Sequence, residues 1–335
     1  MESPAGKYLL TGASGMIGRA IRSAMSARQM QSLQLSRSTT VPRSQQASPP
    51  QGKNHAGGDL RTLQYVAVSI SGEVPWNPTA NPPIAHPELL EGLTAAIHLC
   101  GANLASHRWT PAYKREIVSS RVDSTRVLST ALAALKHPPQ ALFVASGSGI
   151  YGNRGEELLD ESSTLGSDFL AGLSRQWEEA AKPAVDAGIR VVHLRMGVVL
   201  GPDPGGILAR LKPIFRLGLG GRLGPGTQWM SWISLNDLIS AIFFLFDHPE
   251  IAGAVNITAP NPITNAQFTR ALARQLHRPA ILPVPAAALR LRFGEFADQA
   301  LLAGQRAFPS RLTAAGFQFA QPTIDLALAA ALANR

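Results

Sequence analysis

Cysteine is nearly absent. Cys100 is the single one among 335 residues, which excludes disulfide frameworks and cysteine-rich metal centres. Long apolar runs are missing too: Leu238–Phe246 is broken by Ser240 and falls far short of the ~20 residues that span a bilayer. Charge is sparse, at 16% of residues against 45% apolar, so a sizeable core forms and global disorder is excluded. A strand-like run starts at Lys7 and leaves no room for a secretory leader ahead of it. The expectation is a soluble, cytoplasmic protein with no membrane partner. There are no internal repeats, and the length fits one large domain with an appendage.

Acidic residues are scarce at the two ends of the chain. Residues 1–58 hold seven Lys/Arg against one acid, and residues 251–335 eight against three, within a net charge of +9. No run of five basic residues and no basic stripe interleaved with aromatics occurs, whereas a nucleic-acid footprint is clustered. An anionic small molecule is the expected partner, not nucleic acid. The eight histidines show no metal-ligand spacing with acids, so no metal is expected. His193, inside an apolar strand, reads as a core residue.

What is present is alternation. Lys7–Leu10, Ser32–Ser36, Tyr65–Ile70, Ala95–Leu99, Ala141–Ala145 and Arg190–Leu200 read as strands. Helical spacing follows over Ile17–Met25, Glu116–Leu135 and Phe169–Val185. Prolines at 75, 78, 82, 83 and 87 exclude regular structure until Glu88. The pattern predicts an α/β fold with a doubly wound parallel sheet over residues 1–259. A small, mainly helical C-terminal domain is expected over 260–335. Residues 39–58, rich in Ser, Pro, Gln and Gly, read as a surface insertion.

Between the first strand and helix lies Thr11-Gly12-Ala13-Ser14-Gly15-Met16-Ile17-Gly18. Such a turn brings backbone up to a pyrophosphate and aims helix-terminal N–H groups at it. The second strand ends in Ser36-Arg37, with no acid until Asp59. An acid there binds the ribose diol of NAD, whereas an arginine accommodates the 2′-phosphate of NADP. NADP is therefore the expected cofactor over NAD, against the plainer reading of Arg37 as a solvated loop residue.

Further motifs follow in order. They include His98-Leu99-Cys100-Gly101-Ala102-Asn103, Arg108-Trp109-Thr110, Lys114-Arg115-Glu116-Ile117, Ser120-Arg121, Tyr151-Gly152 and Trp177-Glu178. Leu194-Arg195-Met196-Gly197, Gly220-Gly221-Arg222-Leu223-Gly224, Gln228-Trp229-Met230-Ser231-Trp232-Ile233 and Ala259-Pro260-Asn261-Pro262 continue the series. With these the chain resembles the NAD(P)-dependent epimerase/dehydratase group of extended short-chain dehydrogenases, and more narrowly its atypical "epimerase family protein" branch. The resemblance covers nearly everything outside the 39–58 insertion. It implies a Rossmann sheet with a nucleotide across its C-terminal edge, and a cofactor site of Gly12, Ser14, Gly15, Met16, Ile17, Gly18, Ser36, Arg37, Leu99 and Cys100. Arg121 falls near the nicotinamide half, with Glu116 to order it. Trp109 joins Gln228, Trp229 and Trp232 on the substrate side, to which residues 201–232 contribute.

The proton-transfer pair of the ordinary enzymes is missing. Tyr-x-x-x-Lys on a helix lets the ammonium lower the pKa of the phenol. Here the residues four after Tyr8, Tyr65, Tyr113 and Tyr151 are Gly12, Ser69, Ile117 and Gly155. On the expected helix stand Phe169 and Leu173, or Ala171 and Arg175. The loop Ser146-Gly147-Ser148-Gly149-Ile150-Tyr151 retains hydroxyls, so Ser146, Ser148 and Tyr151 are the candidate catalytic residues; turn serines that satisfy backbone are the other reading. The aromatic cluster suits a sugar or other polyhydroxyl ligand, or packs a domain junction. Two functions follow: an oxidoreductase or epimerase acting on a nucleotide-sugar-like substrate with a non-standard catalytic set, or a catalytically silent NADP-binding sensor or scaffold.

Overall fold

The computed structural model describes residues 6–36, 73–80, 82–202 and 206–333. Its first half runs β1 (Lys7–Thr11), α1 (Met16–Ala27), β2 (Gln31–Ser36), β3 (Glu73–Pro75), β4 (Ala95–His98), α2 (Pro111–Ser119), α3 (Val122–Ala133), β5 (Ala141–Gly147), β6 (Leu158–Leu159), α4 (Phe169–Glu179) and α5 (Lys182–Asp186). The second half runs β7 (Arg190–Met196), β8 (Val198–Leu200), α6 (Ile207–Arg216), β9 (Trp229–Met230), β10 (Trp232–Ser234), α7 (Leu235–Asp247) and β11 (Gly253–Ile257). β12 (Ile263–Thr264), α8 (Asn265–Leu276), α9 (Ala286–Phe293), β13 (Arg306–Ala307), α10 (Ser310–Ala314) and α11 (Ile324–Ala333) complete it.

Seven strands form one parallel sheet in the order β11-β7-β5-β4-β1-β2-β3, the doubly wound arrangement expected from the alternation. Its strands are apolar on both faces because helices cover both. Leu9, Leu142 and Val144 face a core closed by Ile117 of α2, Leu128 of α3 and Leu173 of α4. Tyr8, Leu10 and Phe143 point the other way, onto Ile21 of α1 and Leu238 and Ile242 of α7. A third, smaller core gathers Leu200, Phe215 and Trp232 with Phe268, Leu272 and Leu328. It draws on residues both before and after 260.

Several elements differ from the sequence expectation. The helix expected over Glu116–Leu135 breaks at Ser120-Arg121. There Ser120 Oγ donates to Ile117 O at 3.1 Å and accepts the Ala102 N–H at 2.9 Å; serine hydroxyls compete with the helical ladder in this way. The helix expected over Phe169–Val185 restarts at Lys182, with Pro183 in the first turn, where its missing N–H is tolerated. The strand expected through Leu200 divides at Gly197, and β8 leaves the main sheet to pair with β10. A Cβ at Gly197 would lie 2.7 Å from the Ser231 carbonyl, so only glycine admits that crossing. The proline-rich stretch is not wholly irregular: Pro75 ends edge strand β3, as edge strands permit, and Pro87–Leu90 form one 3₁₀ turn. The strand expected at Tyr65–Ile70 and the 39–58 insertion lie outside the described residues.

The chain end is tied to the sheet by one buried carboxylate. Asp237, 1% exposed at the start of α7, accepts the Ala320 and Gln321 N–H groups at 2.8 and 2.9 Å. Bonds to a charged acceptor contribute about 1.5–3 kcal/mol each. Asp237→Ala should therefore lower unfolding stability by about 3–6 kcal/mol, read as a fall in urea midpoint at unchanged slope. A shift within error of zero would show that the clamp is unimportant.

Candidate nucleotide and substrate site

β1 ends at Thr11 and β4 at His98, adjacent in register, and the chain leaves both strands at the same edge of the sheet. Gly12 has φ +70°, and a Cβ there would lie 2.9 Å from the Leu99 carbonyl. A Cβ at Gly18 would lie 2.2 Å from Gly12 O, so the helix can start against the turn only if residue 18 is glycine. Gly15 differs: its Cβ would meet nothing nearer than Gly12 O at 3.4 Å. It caps α1 without a side chain, and the first turn of α1 holds no acid. The first N–H groups of a helix lack intrahelical acceptors and attract anions. Gly12, Ser14, Gly15, Met16, Ile17 and Gly18 therefore fit a pyrophosphate on geometry as well as on pattern. A Cβ at Gly201 or Gly206 would lie 3.2 or 3.0 Å from Met16 Sδ, so the start of α6 folds back beside the turn.

Beneath the turn runs a buried hydrogen-bond chain that the sequence did not reveal. Thr11 Oγ1 lies 2.7 Å from His98 Nδ1, and His98 Nε2 lies 3.1 Å from Ser124 Oγ. Ser124 spends its proton on Ser120 O at 2.7 Å, so it must accept from His98 Nε2–H. His98 Nδ1 then accepts from Thr11, whose oxygen receives the Leu99 N–H and the Cys100 thiol, each at 3.3 Å. One tautomer satisfies the whole chain. Burial lowers the pKa of His98 to about 3, so the ring is neutral. Cys100 is buried, as expected of a small hydrophobe, but it also donates into this network.

Arg121 closes the other side of the loop after β4. Its Nη2 donates to Ala102 O at 2.9 Å and its Nη1 to Ile117 O at 3.3 Å, and the guanidinium lies 5.1 Å from the Trp177 ring centroid. Burial lowers its pKa to about 10, so it remains a cation at neutral pH. Glu116 does not order it: the carboxylate is exposed on α2, and the helix break separates the two residues.

The loop after β5 rests on a second polar cluster. Arg195 pairs bidentately with Glu178, Nε–Oε1 at 2.8 Å and Nη2–Oε2 at 2.9 Å, with side chains only 6% and 13% exposed. Ser146 Oγ donates to Glu178 Oε1 at 2.8 Å. Burial pushes the Glu178 carboxyl up, but Arg195 and Ser146 outweigh it and hold the group below the usual carboxylate range. Tyr151 has no exposed surface; its hydroxyl donates to Asn256 Oδ1 at 2.7 Å and accepts from Arg195 Nη1 at 3.1 Å. Burial raises its pKa, with Arg195 opposing. The structure thus makes Tyr151 a buried strut, while Ser146 lies near the end of β5 and Ser148 opens the turn after it, both buried at 3% and 8% exposure. Glu161 is half-buried and accepts the Asn256 and Arg311 N–H groups at 3.0 and 3.3 Å.

The expected aromatic cluster is divided. Trp109 stacks edgewise on Phe169 and Phe296 and donates to Leu104 O at 2.9 Å. Trp232 is fully buried in the third core and donates to Asn261 O at 3.0 Å. Trp229 is half-buried under the Arg306 guanidinium, 4.3 Å from its centroid. Gln228 donates to Leu223 O and Leu301 O, and its buried Oε1 has no partner. On the helix where the ordinary pair would stand, Ala171 and Leu173 are buried, Phe169 packs on Trp109 and Arg175 is exposed. Ser36 ends β2, and Arg37 lies outside the described residues. Among the described residues, no group of three His, Cys, Asp or Glu is placed to hold a metal.

The sequence model of the NAD dependent epimerase/dehydratase family matches residues 8–258. The chain belongs to that family. A domain of unknown function matches residues 284–331. An epimerase family protein of Mycobacterium bovis is 47% identical over 262 residues, covering 78% of this chain and 85% of the relative. A chloroplastic homologue of epimerase family protein SDR39U1 from Arabidopsis thaliana is 38% identical, covering 72% of this chain and 69% of its own. The crystal structure of human SDR39U1 with NADPH superposes with TM-score 0.82 at 29% identity, over 98% of this chain and 100% of that one. The protein is thus an NAD(P)-binding member of the epimerase family with a short-chain dehydrogenase fold. Among the described residues, no helix is long and apolar enough to cross a membrane.

Within this family member, His98 gives a pH signature. Between pH 6.5 and about 3 the unfolded chain binds a proton at His98 that the folded protein refuses. Stability should therefore fall as pH drops through that window, by up to ~1.4 kcal/mol per unit from this group. His98→Gln should start less stable at pH 7, and the gap from the parent should narrow toward pH 4. A gap independent of pH would mean that His98 is not held neutral.

Proposed function

We propose that the protein is an NADP(H)-dependent oxidoreductase or epimerase whose substrate is nucleotide-sugar-like or otherwise polyhydroxylated, and whose loop hydroxyls replace the Tyr–Lys pair. The observation that carries this reading is Ser146, held at the end of β5 by a desolvated Glu178–Arg195 ion pair. Because its proton goes to Glu178, the serine keeps its lone pairs for a substrate hydroxyl, and Ser148 follows on the same loop. Arg195 keeps Glu178 ionised, so the pair orients Ser146 and does not store the proton.

Bound NADP(H) would supply or accept the hydride. Gly12–Gly18 would hold its pyrophosphate, Leu99 and Cys100 would pack against it, and Ser36 and Arg37 would meet the 2′-phosphate. Arg121, still a cation, would fix the Gly101-Ala102 loop beside the nicotinamide half. Residues 201–232 and 260–335 form the substrate side in this reading, with Trp229 and Gln228 Oε1 offering an aromatic face and an unused acceptor. The preference for NADP rests on the basic end of β2 and on the NADPH carried by the human relative.

Two experiments follow. A charge-assisted bond to phosphate contributes about 1.5–3 kcal/mol, so Arg37→Ala should weaken NADPH binding about tenfold or more and leave NADH nearly untouched. Equal losses would remove the 2′-phosphate reading. For chemistry, Ser146→Ala, Ser148→Ala, Tyr151→Phe and Arg121→Ala are compared with Arg175→Ala by NADPH oxidation with any substrate that turns over. Losses of about 10²–10⁴-fold are expected from Ser146 and Ser148 and none from Arg175. Loss at Arg175 alone would restore the role of the α4 pair, and tight NADP binding without turnover of any substrate would make the protein a sensor or scaffold.

A further inference from the structure

Residues 206–236 and 251–294 together contain nine Lys or Arg and no Asp or Glu. The structure lays one loop from each segment against the other. Arg278 Nε donates to Arg216 O at 3.0 Å, and Val284 N donates to Arg222 O at 2.9 Å. A Cβ at Gly218 would lie 3.8 Å from Pro279 Cγ. From this double rim Leu217, Leu219, Ile281 and Leu282 stand 75%, 55%, 80% and 51% exposed, with Ile214 of α6 beside them at 45%. Single exposed aliphatics are ordinary, but a contiguous group marks a contact surface. Side chains this exposed project from the surface and do not line a groove.

Two of the cations beside these aliphatics, Arg222 and Arg278, hold backbone carbonyls. Arg222 Nη1 donates to Pro225 O at 2.6 Å and Arg278 Nη1 to His277 O at 3.1 Å. The acids that pair within the same region, Asp325 with Arg274 and Asp298 with Arg290, lie on other elements. A second copy of the chain is a poor occupant, because a two-fold interface sets like surfaces face to face and here would oppose cation to cation. A bilayer surface rich in anionic headgroups matches both halves of the patch: its acyl boundary takes the aliphatic tips, and its phosphates take the guanidinium collar.

We infer that the paired loops 217–219 and 279–282 dock the protein peripherally on an anionic membrane surface. This contact is separate from spanning, and it stands apart from the glycine turn.

The test is co-sedimentation with vesicles of phosphatidylcholine alone and with 30 mol% phosphatidylglycerol (roughly that share, so that several cations meet anionic headgroups). The parent protein should partition onto the anionic vesicles at least about tenfold more strongly, and salt should weaken that binding. Leu217→Ser with Ile281→Ser should lose about tenfold or more at constant salt. Arg216→Glu with Arg278→Glu should lose as much and flatten the salt dependence. Melting temperature and NADPH affinity, read on the same samples, should match the parent, so a folding defect cannot imitate the loss. Three results overturn the inference: equal partitioning of the parent onto both vesicles; undiminished binding of the Leu217/Ile281 variant, which would be bare charge adsorption; or conversion of a dimer to a monomer by that variant in light scattering, which would make the patch a self-interface.

Discussion

The rest of the site depends on the close approach of Gly12 to the Leu99 carbonyl. β1 and β4 are neighbouring parallel strands, and both chains must turn off the sheet at one edge without colliding. A glycine at positive φ solves the steric part. Thr11, His98 and Ser124 solve the polar part, leaving no buried group of the chain without a partner. The start of α1, the loop after β4 and the first turn of α3 are thereby fixed together. In the proposed reading the nucleotide, Arg121 and the sheet edge share this one scaffold.

A second buried polar assembly lies beneath the loop after β5. An isolated carboxylate beneath the β5 loop would be costly, and a guanidinium equally so. The bidentate Glu178–Arg195 pair with Ser146, Tyr151 and Asn256 leaves neither group bare. Buried ion pairs of this kind add little net stability, but breaking one by removing a partner is strongly destabilising. The cluster therefore braces the end of β5 and the turn after it, as the proposed role of Ser146 requires. Its presence in an otherwise apolar layer between β7 and α4 sets this family member apart from a plain nucleotide-binding sheet.

Much of this was legible in the residues. The alternation of Lys7–Leu10, Ala95–Leu99, Ala141–Ala145 and the run from Arg190 specified the sheet, because period and burial follow directly from apolar patterning. The turn was legible from its glycine spacing, and at Gly12 and Gly18 only glycine tolerates the close approaches. Helix breaks were not, since they depend on what Ser120 and Ser124 bond to across the fold. His98 gave a faint signal, a polar residue closing an apolar strand, and Glu178 and Arg195 gave the same signal on α4 and β7. Pairing between residues 17 positions apart in sequence cannot be read from spacing alone. Trp109, Trp229 and Trp232 were grouped by likeness, and the structure separated them because each indole N–H or ring found a different neighbour.

The central claim is that the turn at Gly12–Gly18 binds a dinucleotide pyrophosphate at the open start of α1. Gly15 separates that claim from folding. Its backbone is extended at φ −69° and ψ 166°, it caps the helix, and a Cβ fits there without collision. Aspartate is among the favoured residues at such a position, so Gly15→Asp should leave the melting temperature equal or higher. The same carboxylate would meet the pyrophosphate. NADPH fluorescence titration of this variant should show binding lost by at least about a hundredfold in a protein that is fully folded; unchanged affinity would contradict the account.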